Sequence, residues 1–333
     1  SFVNKDLSIL EKHFKVTTYR FNTDLKLVTP LQFFIQALYL LFFGWRYEYF
    51  VTFFAGYHSV LPSLFAKWTG RKCYVFLGGT ECFYYPSFKY GNFTKKWYGK
   101  STCISARNAS MLVPVSENLI YSRSDYYDGD SKTQGIYHWC APIHTPYKVV
   151  SLEYDSNMFY WQNVARIENS FLTVAFGIEG TAFIRKGIDK FILIANHYPE
   201  LLFTIVGCQQ DDFPVPVPSN VTIIPPVPYA ELPQHYSRHQ FYLQLSIAEG
   251  FPSAICEAML CECIPIGSQV AALPQIISTF GFLVAERDDG IILKTIKEAI
   301  QSSDKVKAGQ MSRQHIISSF GIGSREKEIL KLF

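Results

Sequence analysis

The sequence predicts an α/β protein of two doubly wound, Rossmann-like domains, and three observations carry that expectation. The chain has 333 residues, more than one hydrophobic core usually serves, so two domains are the default. It is 48% apolar and only 18% charged, the composition of a folded protein with ample core. Along it, short β-branched or aromatic runs alternate with helix-like stretches, the βαβ rhythm of parallel sheets.

Asp6 is read as the cap of a first helix carrying Leu7, Ile9, Leu10 and Phe14, and residues 16–21 alternate like a short strand. Pro30 suits the first turn of an aromatic-rich helix ending near Gly44, followed by a buried strand over 49–54. Apolar residues surround most of that helix and no Lys/Arg-rich polar face accompanies them, so it is expected to pack on a sheet and not to dip into a membrane. A helix over 58–68, the strand Lys72–Leu77 and the turn Gly78-Gly79-Thr80-Glu81 come next. Glycines at the carboxyl end of a parallel strand let a ligand approach the backbone, and that end is where open α/β sheets bind, although Gly-Gly also serves plain turns. His58 has no partner in sequence and reads as a satisfied helix-start histidine. A strand over 111–115 precedes Ser116, the hydroxyl cap of another helix. Asp128-Gly129-Asp130 lies in a polar loop with no buried strand before it and reads as a surface turn.

Residues 148–159 read as the connection between domains, giving a first domain at 1–160, a second at 161–315 and a last helix, 316–333, that crosses back to the first. The second domain opens with a strand over 171–176. Arg185 and Lys186 precede a helix begun by Gly187 and Asp189 and ended by Pro199. Strands are expected over 202–206, 221–224, 240–245 and 265–268, with a helix over 230–237, a turn at 271–274 and helix from 291 onward.

The most informative stretch is Ser246 to Ile277, SIAEGFPSAICEAMLCECIPIGSQVAALPQII. Glu249 and Glu257 have seven residues between them. Pro252 suits a first helical position and Ser253 can offer its hydroxyl to the orphan amides of the first turn. The free N–H groups and the helix dipole then favour an anion in front of Gly250. A phosphate flanked by two carboxylates, which accept hydrogen bonds from hydroxyls, suits a ligand with a diphosphate centre and hydroxylated ends.

Glu-Gly-Phe-Pro, the spacing to Glu-Ala-Met and Pro265 after the helix resemble the donor site of the retaining GT-B glycosyltransferases of the large group 1 family. The resemblance implies two Rossmann-like domains facing a central cleft, and transfer of a sugar from a nucleotide-diphospho-sugar to a glycan or lipid-linked acceptor, in cell-surface polysaccharide synthesis. It implies that Glu249 contacts the donor sugar, that Glu257 holds the ribose, and that Gly250, Phe251, Pro252 and Ser253 line the donor loop. Arg185 and Lys186 match the family's basic pair, which neutralises the leaving diphosphate, so no metal or other cofactor is expected. Gly78, Gly79 and Glu81 fall on the acceptor side of the cleft. The chain departs from the family at Ser151-Leu152-Glu153, where Pro-Asn-Gly is usual, at Ile178, where an arginine is frequent, and at Gln275, where a glutamate stands. The family's first strand and glycine-rich loop have no counterpart before Asp6, so the chain reads as lacking its native start. A nucleotide-sugar epimerase, a phosphorylase or a silent nucleotide-sugar-binding protein is the alternative.

The net charge is +3, and residues 1–165 carry 17 Lys/Arg against 11 Asp/Glu, the remainder 14 against 17. The basic half suits an anionic membrane surface or a phosphate-bearing acceptor, and equally dispersed charge of no consequence; nucleic acid is not an expected partner. Eight cysteines show neither metal-ligand spacing nor a small disulfide framework and read as reduced thiols of a cytoplasmic protein. No apolar run reaches the ~18 residues of a membrane span, which leaves peripheral contact at the inner face of a membrane.

Overall fold

The computed structural model describes residues 2–21 and 28–333. The first lobe holds a parallel sheet of β1 (Tyr49–Phe53), β2 (Lys72–Leu77) and β3 (Met111–Pro114) in that order. Around it lie α1 (Phe2–His13), α2 (Thr29–Phe43), α3 (Tyr57–Thr69) and α4 (Lys96–Asn108). A small antiparallel pair, β4 (Ser122–Arg123) with β5 (Thr133–Gln134), and a short α5 (Ile136–Trp139) follow. β2 is buried at every position but its first, as a strand covered on both faces must be.

The second lobe holds six parallel strands: β6 (Ile167–Val174), β7 (Phe203–Val206), β8 (Val221–Ile224), β9 (His239–Gln244), β10 (Ile264–Ser268) and β11 (Phe282–Val284). Their spatial order is β11-β10-β9-β6-β7-β8. The chain therefore winds outward from β6 in one direction and from β9 in the other, the arrangement of a doubly wound dinucleotide-binding sheet, with its switch point between β6 and β9. Phe171 of β6 stacks on Phe203 and Phe241, ring centroids 5.0 Å away on each side. Helices α6 (Thr181–Arg185), α7 (Ile188–His197), α8 (Leu232–Arg238), α9 (Ser253–Leu260) and α10 (Leu273–Ile277) lie between these strands, and α11 (Asp289–Gln301), α12 (Lys305–Phe320) and α13 (Ser324–Leu330) follow the last of them. The α13 segment lies on the first lobe, where Tyr74 donates its hydroxyl to the Leu332 carbonyl at 2.6 Å and Lys148 pairs with Glu328 at 3.0 Å.

Several sequence-based expectations are corrected. Asp6 is not a cap: it lies inside α1, fully buried, and grips Arg325 of α13 through both carboxylate oxygens at 2.6 Å. Residues 16–21 form no strand: alternation alone does not make one without a pairing partner, and among the described residues the outer edge of β1 pairs with none. The turn expected at 271–274 winds into α10, while α6, β4, β5 and β11 are too short for a periodicity to announce. Glu153, where the resembling family has glycine, accepts from the backbone N–H groups of Gly323 and Arg325 at the start of α13.

The aromatic helix α2 is also not sheet-packed. α3 occupies the face over β1 and β2, and α2 lies against α3. Only Gln36 and Leu40 of α2 are buried, whereas Phe34 and Phe42 are 61% and 67% exposed. The cysteines are not all thiols either: Cys103 of α4 and Cys140, just after α5, form a disulfide with Cα atoms 5.0 Å apart. A separation of 37 residues hides such a pair from any spacing rule, and the expectation of a reducing, cytoplasmic setting loses that support. The other six cysteines are free and buried. Among the described residues no helix is long and apolar enough to cross a membrane.

Candidate functional site

The switch point puts two loops side by side, one after β6 and one after β9, and both carry candidate residues. Ile247 donates its backbone N–H to the Arg185 carbonyl at 2.7 Å. Gly187 has φ +75°, and a Cβ there would sit 2.2 Å from the Leu245 carbonyl oxygen. Only glycine lets the Arg185-Lys186 turn come this close to the β9 loop. Lys186 and Glu249 consequently share one corner of the lobe. Burial pushes the Lys186 amine below the usual lysine range, as does the neighbouring Arg185 charge, while Glu249 and Glu179 draw it back up. Neither Arg185 nor Lys186 has an ion-pair partner among the described residues. The Arg185 guanidinium stands 4.2 Å from the ring centroid of Tyr90 in the first lobe. Glu249 is half-buried and accepts from the Gln244 carboxamide at 3.0 Å.

The donor-loop residues divide in role. Pro252 is the cap residue of α9, not its first helical residue, and offers no side-chain cap. The Ser253 hydroxyl turns away from the helix start to Tyr154, 3.1 Å distant. No side chain therefore caps the amides of the first α9 turn, which leaves partial positive charge at that tip. Phe251 is 8% exposed and packed between Tyr154 and Phe320, so it anchors the loop to the interdomain segment and α12. Glu257 is 4% exposed and accepts from Tyr229 at 2.7 Å and Tyr236 at 3.1 Å. Burial raises its carboxyl above the ordinary range, against the pull of the two hydroxyls. Tyr236 is fully buried, but Tyr229 is 50% exposed and is the partner a ligand hydroxyl could displace. Sequence reading missed Tyr90, Tyr154, Tyr229, Tyr236 and Gln244, because nothing local distinguishes a tyrosine that meets a carboxylate 28 or 21 residues away.

The glycines on the acceptor side meet the other lobe. A Cβ on Gly250 would lie 1.9 Å from the Gly78 carbonyl oxygen, and one on Gly79, whose φ is +149°, would lie 2.9 Å from the Gly250 Cα. These three positions form one of the closest points where the lobes touch, beside contacts such as Tyr126 with the Leu245 carbonyl and Thr181 with the Phe88 carbonyl. Glu81, 2% exposed, folds its carboxylate back to accept from the N–H groups of Gly78 and Gly79 at 2.6 and 3.2 Å. It thus holds the turn instead of facing the cleft. The opening left beside this contact is narrow and lined by Phe83, Tyr85, Tyr127, Gln134, Glu249 and Ala271. Asp128 and Asp130 lie at the surface, the first paired with Lys132 and the second accepting from Ser87.

Burial pushes the Glu81 carboxyl up to about 7, so the folded state holds its proton more tightly than the unfolded chain does. This stabilises the protein fully below the unfolded-state pKa near 4.5, and the contribution is lost as pH rises through about 7. The span corresponds to about 3 kcal/mol. Glu81→Gln, which cannot ionise, is expected to match the parent at low pH and exceed it in stability above neutrality. Urea midpoints of both proteins from about pH 5 to about pH 8 measure this, and parallel curves would refute it.

Residues 178–315 match the family described as "Glycosyl transferases group 1". No curated protein matches the chain in sequence. Sucrose-phosphate synthase from Thermosynechococcus elongatus superposes with a TM-score of 0.67 at 15% identity, over 95% of this chain and 79% of its own. HepE from Anabaena in complex with UDP-glucose gives 0.65 at 14% identity, over 98% and 88%. A glycosyltransferase from Rickettsia africae ESF-5 gives 0.63 at 14%, over 98% and 86%. The fold is that of the GT-B glycosyltransferases, and the matched segment contains Arg185, Lys186, Glu249 and Glu257.

Proposed function

We propose that the chain is a glycosyltransferase that moves a sugar from a nucleotide-diphospho-sugar to a glycan or lipid-linked acceptor with retention at the anomeric carbon, in the synthesis of cell-surface polysaccharide. One observation carries the reading: two cations that form no ion pair among the described residues, a half-buried carboxylate and the uncapped tip of α9 lie on the loops at the switch point of a doubly wound sheet. Arg185, Lys186 and the first amides of α9 would meet the diphosphate and stabilise the charge that develops as the sugar leaves. Such preorganised donors typically contribute several kcal/mol. Glu249, oriented by Gln244, would take hydroxyls of the transferred sugar, and Glu257 the ribose once Tyr229 yields its hydrogen bond. Protein cations and amides supply all the positive charge this scheme needs, so it calls for no metal ion or cofactor. Gly78, Gly79 and Glu81 contribute indirectly on the acceptor side, by setting how close the lobes stand.

Thermal-shift screening of nucleotide sugars, UDP-glucose first, tests the proposal. A ligand at a hundred times its Kd adds about 2.7 kcal/mol of stability by mass action and raises the melting temperature accordingly. No shift with any nucleotide sugar would end the proposal. A shift without release of free nucleotide in the presence of glycan or lipid-linked acceptors would favour the silent binding protein, and a changed sugar still attached to its nucleotide the epimerase.

A further inference from the structure

We infer that Tyr90 of the first lobe is a positioning residue for the proposed transfer: its ring holds the Arg185 guanidinium across the cleft and leaves the N–H donors of that cation free for a diphosphate. The inference rests on the reading of Arg185 as a diphosphate contact. The guanidinium carbon lies 4.2 Å from the ring centroid, the shortest of the cation–ring contacts among the described residues. A ring offers its π face and takes none of the N–H donors. A carboxylate in the same place would hold Arg185 more tightly, but it would occupy those donors and cancel the charge that a leaving diphosphate needs. Burial above all keeps the Tyr90 phenol higher than its ordinary range, so the ring meets the cation as a neutral face and not as a phenolate. Arg185 therefore keeps its charge. It forms no ion pair among the described residues, and its charge lowers the hold of the adjacent Lys186 amine on its proton. Two like charges side by side in a half-buried corner favour an anion between them.

The loop that carries Tyr90 is fixed by its own contacts. Tyr85 and Tyr90 exchange backbone hydrogen bonds of 2.9 and 3.1 Å, which close the segment between them into a turn. Gly91, at φ +99°, leads the chain away where a Cβ would lie 1.9 Å from the Phe83 carbonyl oxygen. The buried Phe83 stacks against Tyr90 with ring centroids 6.1 Å apart. The short helix α6 lies along this loop. Its first residue, Thr181, donates its hydroxyl to the Phe88 carbonyl at 3.1 Å, and its last, Arg185, meets Tyr90. Both ends of α6 are thus seated on the first lobe, although the helix belongs to the second. The cationic corner has its full geometry only while the lobes stand together, which ties diphosphate affinity to their closure.

Calorimetric titration of the whole chain with UDP, GDP and ADP, the tightest of which is carried to the variants, tests this. Tyr90→Phe keeps the ring and is expected to bind within about twofold of the parent. Tyr90→Leu and Tyr90→Met keep apolar volume without a π face and should bind about five- to thirtyfold more weakly, the span of cation–ring contacts from partly exposed to desolvated. In an Arg185→Gln background the Tyr90→Leu change should cost nothing further, because the group it positions is gone; a loop that had merely loosened would cost the same factor in both backgrounds. Circular dichroism and melting temperature report that each variant folds. The inference is overturned if Tyr90→Leu and Tyr90→Met bind as tightly as the parent, if Tyr90→Phe loses as much as they do, or if the cost persists without Arg185. Loss of the fold in both ring-less variants also overturns it, since Tyr90 would then hold the loop and not the cation. A parent that binds none of the three nucleotides ends the reading of Arg185 and this inference together. A parent whose binding is weakened by Arg185→Gln but not by Tyr90→Leu ends this inference alone.

Discussion

Lys186→Ala is expected to slow sugar transfer by a factor of about 10² to 10³, the usual effect of removing one charged or hydrogen-bonding group that stabilises a developing oxyanion. The ammonium lies in the corner formed by the β6 and β9 loops, is half-buried, and has no ion-pair partner among the described residues. No folded-state pair is broken by its removal, so the melting temperature should stay within a degree or two. Glu249→Ala should lose comparable activity for a different reason, because the sugar would lose the carboxylate that Gln244 orients at 3.0 Å. Initial rates of nucleotide release, with calorimetric titration of nucleotide diphosphate, separate the two. The Lys186 variant should weaken both rate and diphosphate binding, whereas the Glu249 variant should slow the rate and leave diphosphate binding near that of the parent. Full activity in either variant contradicts the proposed roles.

Asp6→Ala is expected to destabilise the protein by about 3–5 kcal/mol, because it leaves a buried guanidinium without its counter-charge. Asp6 is 0% and Arg325 3% exposed, and two of the contacts between them are 2.6 Å long. Arg325 also donates to the Val150 and Ser151 carbonyls, so one cation joins α1, α13 and the interdomain segment. Replacing both partners with apolar residues, Asp6→Leu with Arg325→Met, should recover much of the loss, since neither charge then stays buried. Urea unfolding of the single and double variants measures the difference. A single variant within about 0.5 kcal/mol of the parent, the range of ordinary surface substitutions, would show that the pair does not hold the two ends of the chain together.

Much of the strand pattern of both lobes was legible in the chain. Lys72–Leu77 and Val221–Ile224 stand where their β-branched and aromatic runs place them, and Gly187 before α7 carries a signal that any such turn must show, because the approach to Leu245 admits no Cβ. The candidate site was legible as residue types at a spacing: Arg185, Lys186, Glu249 and Glu257 lie on the loops and helix that the strand–helix alternation assigns them. What each side chain faces was not legible. Glu81 turns inward because its own backbone offers two N–H groups at hydrogen-bonding distance, and Glu257 is held by tyrosines from elsewhere in the lobe.

By itself the sequence determined the α/β alternation, the Glu249–Glu257 helix and its loop, and the basic pair ahead of α7, since all of these depend on neighbours within a few turns of chain. Tertiary structure alone decided that Asp6 is a buried ion-pair partner and not a cap, that Cys103 meets Cys140, that α2 shows its aromatic face to the outside, and that Gly78 and Gly79 meet Gly250 across the lobes. Each of those outcomes rests on a partner many residues away. A periodicity states which face of a helix is apolar, but only packing decides whether another surface arrives to cover it.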